Sequence, residues 1–383
     1  CAHTHVYSAL ARGMPFHLEG PRNFVEILQR VWWRLDRALD EASVRASAEV
    51  GAMEALLAGT TTLVDHHASP NAIDGSLDVV AGAFGSLGLR SIVCYEVSDR
   101  DGPGRAMAGV AENSRFAAHE HSALVRAMIG AHASFTLSDA TLEACVDAAR
   151  SAGVGIHIHA AEDDSDERDA CARFGTRVAQ RLAHAGALND ATLLAHCVHL
   201  DGDECDVVRQ SGATVAHNAR SNMNNAVGRT PLSSLGAVAL GTDGIGADMF
   251  EESRAGFFRL REDTLAAPSD WPLAHLTEGA RLAGRMFGEP LLGSITPGAP
   301  ADVVVLDYDA PAPLETSNVA GHWVFGLGSR AVRDVIVAGE VVVRDRKLTK
   351  VDQRGLTRTA SAEARLLWER LELIEPHPFE PRA

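Results

Sequence analysis

The sequence predicts an α/β protein: a (β/α)8, TIM-like barrel followed by a small, incomplete β-sandwich appendage. Three observations carry that prediction. Short apolar runs alternate with helix-like segments through residues 1–290, eight such runs can be counted, and they end in clusters of polar or ionisable residues. Alternation of strand and helix reads as a parallel sheet, eight such units close a barrel, and strand C-termini form the face on which barrels carry chemistry.

The first run is the shortest. Cys1-Ala-His-Thr-His5 has no initiator methionine and starts on what reads as the last residues of a buried strand, so an N-terminally incomplete chain is expected. Helical periodicity follows over Phe24–Leu39 and Glu41–Leu57. Strands are then expected over Thr60–His67, Leu89–Val97, Leu124–Phe135, Val154–Glu162, Ala191–Leu200, Ala213–Asn222 and Val238–Gly244. Helices over Asp139–Ala152, Thr176–His184 and Asp203–Gln210 lie between them, and such segments often stop at glycine. Periodicity alone also permits an open doubly wound sheet. No Gly-x-Gly-x-x-Gly turn opens a helix after a strand, however, so the dinucleotide-binding version loses support.

After Pro290 the texture changes to short β-type runs broken by Gly and Pro, over Val303–Leu306, Asp334–Val337 and Glu340–Arg344. Residues 291–350 are therefore read as the C-terminal part of a β-sandwich, and residues 351–383 as a C-terminal helix, amphipathic from Gln353 to Leu373, with a tail. No repeat with a period of 20–50 residues and no low-complexity segment interrupts this plan.

Composition narrows the function. With 383 residues, 46% of them hydrophobic, the chain can bury a full barrel core. A formal charge of −16, with no basic run interleaved with aromatics, argues against nucleic acid as a partner. No apolar stretch approaches the length of a membrane span and no signal-peptide series opens the chain, so neither a membrane partner nor secretion is expected. The six cysteines lack any paired CxxC spacing and read as reduced thiols of a cytoplasmic protein.

Chemistry is concentrated at the strand ends. His3 and His5 sit two apart, so both side chains point to one face of their strand and into the barrel mouth. His157-Ile-His159-Ala-Ala-Glu162 ends a later strand, followed by His196-Cys-Val-His199, His217-Asn218 and Gly241-Thr-Asp243-Gly244. Any one of these histidines could be a satisfied polar residue at a barrel rim. Together that reading is poor, because His3, His5, His159, His196 and Asp243 would crowd one cavity and repel or desolvate each other unless a cation binds them. Three or four N/O donors with a position left for water suit a catalytic divalent ion, zinc first and ferrous iron second.

The order HxH, HxxE, His, TDG resembles the amidohydrolase superfamily in its mononuclear deaminase and chlorohydrolase branch. The likeness covers essentially the whole chain. It is strongest to the SsnA-type aminohydrolases, through Trp32-Trp-Arg-Leu-Asp36, Asp65-His-His-Ala-Ser-Pro70, His157-Ile-His-Ala-Ala-Glu-Asp163, His217-Asn-Ala-Arg-Ser-Asn-Met-Asn-Asn225 and Gly241-Thr-Asp-Gly-Ile-Gly246. The resemblance implies one divalent metal ion held by His3, His5, His159 and Asp243, with His196 either a further ligand or the holder of the water. Two departures stand out. The N-terminal segment that precedes HxH in this family is absent, which would leave strands around Val303 and Val341 with unpaired edges, and the carbamylated lysine of two-metal relatives has no counterpart. The other zinc deaminase pattern, H-x-E with P-C-x-x-C, is also missing.

These readings converge on hydrolytic deamination of a small amino-substituted N-heterocycle. The ion activates water, Asp243 accepts the water proton, His196 aims the nucleophile, and Glu162, three residues beyond His159, protonates the ring nitrogen and the leaving ammonia. His66 and His132 are candidates for contact with substrate, with rim hydrogen bonding an equal alternative. Trp32 and Trp33 fit helix packing better than a stacking platform. A chlorohydrolase or N-dealkylating hydrolase would share every residue named. A non-catalytic partner protein in a selenium-linked pathway and a metal-storage protein fit the retained Glu162 less well. Homo-oligomerisation is left open.

Overall fold

The computed structural model describes residues 1–119 and 122–382. Strand β1 (Thr62–His67) pairs in parallel with β2 (Arg90–Tyr95), and β2 with β3 (Val125–Ala127). A second parallel series runs β4 (Ile129–Ala133), β5 (Ile156–Ala160), β6 (Leu193–His196), β7 (Thr214–His217) and β8 (Ala237–Leu240). Strands β3 and β4 are halves of one stave interrupted at Met128, whose N–H still reaches Val93 O at 3.1 Å, and a bridge between Val97 and Ala131 ties the two series together.

Residues 1–5 close the other seam. Ala2 N–H donates to Leu240 O at 2.8 Å and Thr4 N–H to Val64 O at 3.0 Å, while Thr4 bridges both Asp65 and Asp243. Counting this stretch as the first stave, the expected eight-stave parallel barrel is the observed one. Its strands are buried on both faces, which is why they read as near-continuous apolar runs rather than alternating ones. Val64, Ile92, Met128, Leu193 and Ala216 plug the interior, and Leu282 and Phe287 from the helix Trp271–Phe287 cap it from below.

The helices Glu41–Leu57 and Asp139–Ala152 match expectation at both ends. The first is fixed by a capping box, in which the Asp40 carboxylate accepts from Ser43 N–H and the Ser43 hydroxyl accepts from Asp40 N–H. The two shorter predictions shift slightly, to Val178–His184 and Gly202–Ser211. The first departs at its start because Arg177 is extended there. The segment expected to be one helix over Phe24–Leu39 is instead a helix Phe24–Ile27, a π-turn Leu28–Trp32 and a second helix Trp33–Ala38. Such an inserted turn re-aims side chains and recurs at functional sites.

Beyond the barrel, β9 (Val303–Leu306), β10 (Val332–Val337), β11 (Glu340–Arg344) and β12 (Lys347–Leu348) form one antiparallel sheet in the order β12-β11-β10-β9. The strand containing Val341 is therefore paired on both sides, contrary to the isolated strand expected, and β9 is a sheet edge. Where a sandwich would place a second sheet, the helix Glu41–Leu57 packs on strands β10, β11 and β12. The terminal helix Gln353–Glu372 lies against that same helix. Barrel, sheet and terminal helix share one hydrophobic cluster, from Leu63 and Leu77 through Val335 and Val343 to Leu367 and Leu371. All six cysteines are unpaired thiols. Among the described residues no helix is long and apolar enough to cross a membrane.

Candidate active site

The strand ends bring imidazoles into one mouth and orient them through their second nitrogens. His5 Nδ1–H donates to His66 O at 2.6 Å, His159 Nδ1–H to His132 O at 2.7 Å, and His196 Nδ1–H to Asn222 Oδ1 at 2.8 Å. His3 Nδ1 is 2.8 Å from His157 Nε2. Each bond leaves Nε2 facing the centre, the arrangement that fixes tautomer and aim in metal-ligating histidines.

Around that centre the Nε2 atoms of His5 and His159 are 3.1 Å apart. Asp243 Oδ1 lies 3.2 Å from His5 Nε2 and 3.6 Å from His3 Nε2, and its Oδ2 lies 3.8 Å from His196 Nε2. His3 Nε2 is buried without a hydrogen-bond partner. The donor atoms of His3, His159, His196 and Asp243 all lie within 4.8 Å of one another, close enough to hold a metal ion. A second such group, His5, His66, Glu96 and His159, shares His159 with the first. One lone pair per Nε2 cannot serve two ions, so these two groups cannot both be filled; a third, fully buried group is His66, Cys94 and His157. An orphaned buried nitrogen and lone pairs turned on each other are what a cation would relieve.

The electrostatics separate the two mouth carboxylates. Burial would raise Asp243, but the facing imidazoles of His3 and His5 hold it well below the usual carboxylate range. Glu162 lies on the bend after β5, where burial, with Asp243's charge adding, pushes its carboxyl well above that range. Glu162 Oε2 is 3.5 Å from His196 Nε2, and Oε1 accepts from Asn225 Nδ2 at 3.4 Å. The two carboxyls are thus pushed in opposite directions, the pairing that divides acid from base roles. Among the imidazoles, burial lowers His3 to about 3, whereas at His5 the pull of Asp243 outweighs burial and raises it to about 9.

Four of the eight non-glycine residues with positive φ among the described residues belong to the site. Ala161, His196, Cys197 and Asp243 all have positive φ, at 48°, 74°, 51° and 55°. Left-handed backbone at non-glycine residues costs of order 1–3 kcal/mol each and persists where surrounding structure enforces it. Gly241 is required by a close approach, since a Cβ there would lie 2.4 Å from Asn218 Oδ1 and 2.8 Å from His3 Cβ.

The mouth opens into a cleft of about 780 Å³. Phe24, Leu28, Trp32, Trp33 and Phe135 form its apolar wall, and Glu96, His132 and Glu162 its polar one. The five residues expected to converge, His3, His5, His159, His196 and Asp243, are brought together. His132 reaches the cleft, with Nδ1 bonded to Thr136 Oγ1 at 2.7 Å. His66 does not. It is fully buried beneath the mouth, against the rings of His3, His5, His157 and His159, with Nδ1 3.3 Å from Glu96 Oε2. His199 and His217 turn aside, to Val227 O and Thr230 Oγ1. Trp32 and Trp33 both line the cleft, although Trp33 is also packed against His377 and Phe379.

Sequence reasoning missed Glu96, Ser221 and Asn225. Glu96 follows β2 directly, so the strand-end rule that found the histidines would have found it as well. Ser221, which donates to Asp243 Oδ2, and Asn225 are four residues apart on the short helix Ala219–Asn224 and its C-cap, a spacing that puts both on one face.

An eight-stave barrel that gathers imidazoles and two oppositely tuned carboxyls around space for one cation defines a metal-dependent hydrolase. The model of the Amidohydrolase family matches residues 1–342, and the chain belongs to that family. It is 30% identical over 364 residues to a 5'-deoxyadenosine deaminase of Methanopyrus kandleri, spanning 92% of this chain and 82% of that protein. It is 31% identical over 388 residues to a 5-methylthioadenosine/S-adenosylhomocysteine deaminase of Desulforudis audaxviator, spanning 96% and 85%. Among solved structures, an adenosine deaminase from Xanthomonas campestris with bound zinc superposes with a TM-score of 0.82 at 26% identity, covering 97% of this chain and 84% of that one. An atrazine chlorohydrolase from Arthrobacter aurescens superposes at 0.80, with 21% identity and coverage of 96% and 86%, a likeness of fold alone.

Proposed function

We propose that the protein deaminates a small amino-substituted N-heterocycle of the aminopurine kind by hydrolysis, with one divalent ion held by His3, His5, His159 and Asp243 and flanked by His196. The donor set is nitrogen and oxygen without thiolate, which suits zinc, and ferrous iron accepts the same donors. When bound, such an ion lowers the pKa of water from ~15.7 to about 7 and so makes a nucleophile available at neutral pH.

The chain's own groups do the rest. Asp243 turns Oδ1 toward His3 and His5 and Oδ2 toward His196 and Ser221, so Oδ2, which already accepts from Ser221, takes the water proton through its second lone pair. His196, fixed by Asn222, holds the attacking oxygen in line. Attack at the amino-bearing carbon places charge on the adjacent ring nitrogen. Glu162 supplies the proton there, takes the proton of the newly added hydroxyl and delivers it to the departing ammonia, and the proton held on Asp243 then restores Glu162. His132, which shares the polar wall with Glu162, is a candidate to hydrogen-bond the ring.

The observation that carries this reading is the Glu162 carboxyl 3.5 Å from His196, pushed above the usual carboxylate range by burial, beside an Asp243 held below it. Chloride departs without a proton, whereas ammonia needs one delivered, so this acid suits deamination better than dechlorination. Support also comes from the deaminase names of both relatives at 30% and 31% identity. Metal-loaded protein is expected to release ammonia from 5'-deoxyadenosine. Glu162→Gln should keep its metal and lose ~10²–10⁴ in kcat. Metal loss in that variant, or a kcat/KM about tenfold higher for a chloro than for an amino substituent on one ring, would overturn the assignment.

A further inference from the structure

Five carboxyl groups line the cleft, those of Glu96, Glu162, Asp163, Asp166 and Asp243, and among the described residues no lysine or arginine does. Arg12, in the neighbouring pocket that shares Trp32 and Ile245 with the cleft, is held by Glu54 at 2.7 Å. Arg100, behind the wall, is fully engaged as well. Its guanidinium pairs with Asp36, with Glu96 Oε1 at 3.0 Å and with Asp101 Oδ2 at 3.3 Å, and lies 5.3 Å from the Trp33 ring centroid. Its side chain is 2% exposed, so it cannot turn to meet a ligand.

Resting on the deaminase reading, we infer that the cleft admits uncharged amino-heterocycles, as free bases or simple nucleosides, and rejects the same ring carrying a phosphate or carboxylate arm. The proposed cation sits at the reacting end, enclosed by its ligands. An arm leaving the ring must run along the remaining walls, where it meets the aromatic face of Phe24, Trp32 and Phe135, the acid Asp163, or Glu96, whose charge Arg100 already takes up. No donor of positive charge replaces the water that an anionic arm would lose, and like charges brought together in a part-buried cleft repel more strongly than in water.

The test compares adenosine with adenosine 5'-monophosphate, which differ only in the phosphate, on metal-loaded wild-type protein. Ammonia release is followed at low and high ionic strength, with calorimetric binding in parallel. The phosphate is expected to lower kcat/KM by at least ~100-fold at low salt, and that deficit should shrink as salt screens the acidic wall. A deficit under tenfold, or one that salt leaves unchanged, overturns the inference. If neither compound is deaminated yet adenosine binds and its monophosphate does not, the charge selectivity stands and the deaminase reading falls. If neither binds, both fall.

Discussion

His5 is where the metal-free cluster keeps its proton. With Nδ1–H committed to His66 O, a proton on Nε2 satisfies both His159 and Asp243, and that is why His5 rises to about 9 while its neighbours are held neutral by burial. A divalent ion must displace this proton. The sign follows: below pH 9 the metal-free site is protonated at His5, so apparent metal affinity should fall about tenfold for each unit the pH drops, and level off above 9. Calorimetry in two buffers of different ionisation enthalpy should show about one proton released per ion at neutral pH. Release of none would place the proton elsewhere. The same residues make His3→Ala a direct measure of the site: metal content should fall from about one ion per chain to well below it, and wild-type occupancy in that variant would remove the metal reading. At this scale the donors were legible because each is the last polar residue of an apolar run. His66 meets the same rule but does not line the cleft. Nearness to a strand's end in sequence is not nearness to the mouth, and the rings of His5 and His159 lie over it.

The seam between β8 and residues 1–5 is the element on which the site's geometry depends, because Thr242 and Asp243 both donate their N–H to His3 O. Gly241→Ala would force a Cβ against His3 and Asn218. It is expected to destabilise by ~1–3 kcal/mol, the cost of overpacking, and to lower metal occupancy with it. Gly82→Ala is the matched control, within the helix Ser76–Leu87 where a Cβ meets nothing within 4 Å. There the substitution should stabilise by up to ~1 kcal/mol and leave the metal untouched. Denaturant melts with metal analysis read both. Strands and their order were legible as elements, since a buried parallel strand has a signature of its own. The π-turn at Leu28–Trp32 was not, because an added residue in a helical turn barely disturbs a 3.6-residue pattern. Nor was it visible that the terminal strands would lie on the helix Glu41–Leu57, since which layer covers a sheet is decided by contacts hundreds of residues apart.

Across the whole molecule, the tail beyond the last helix reaches back to the mouth. Gln29 Nε2 donates to Phe379 O at 2.7 Å, Arg34 Nε to Ile374 O at 2.6 Å, and the Phe379 ring lies 5.8 Å from that of Trp33 and 6.2 Å from that of Phe135. The tail thus buttresses the cleft's apolar wall without touching the metal donors. Phe379→Ala should raise KM about tenfold, about 1.4 kcal/mol of lost binding, with metal content and kcat little changed. A fall in kcat with KM constant would show that the tail acts on the chemistry instead. Sequence reading found the terminal helix by its periodicity but assigned the tail no role, because a strap held by single long-range contacts leaves no pattern along the chain. The wall and the reactive centre therefore have separate origins: one is assembled from a π-turn segment and a tail, the other from barrel strand ends. Mutations in the two sets fall on different stretches of the gene, and those beyond contact distance should combine additively. Lineages descending from such a barrel can change what they consume while inheriting the bond-breaking apparatus intact, and a laboratory seeking a new specificity should randomise residues 24–33 and 374–380 and leave the strand ends alone.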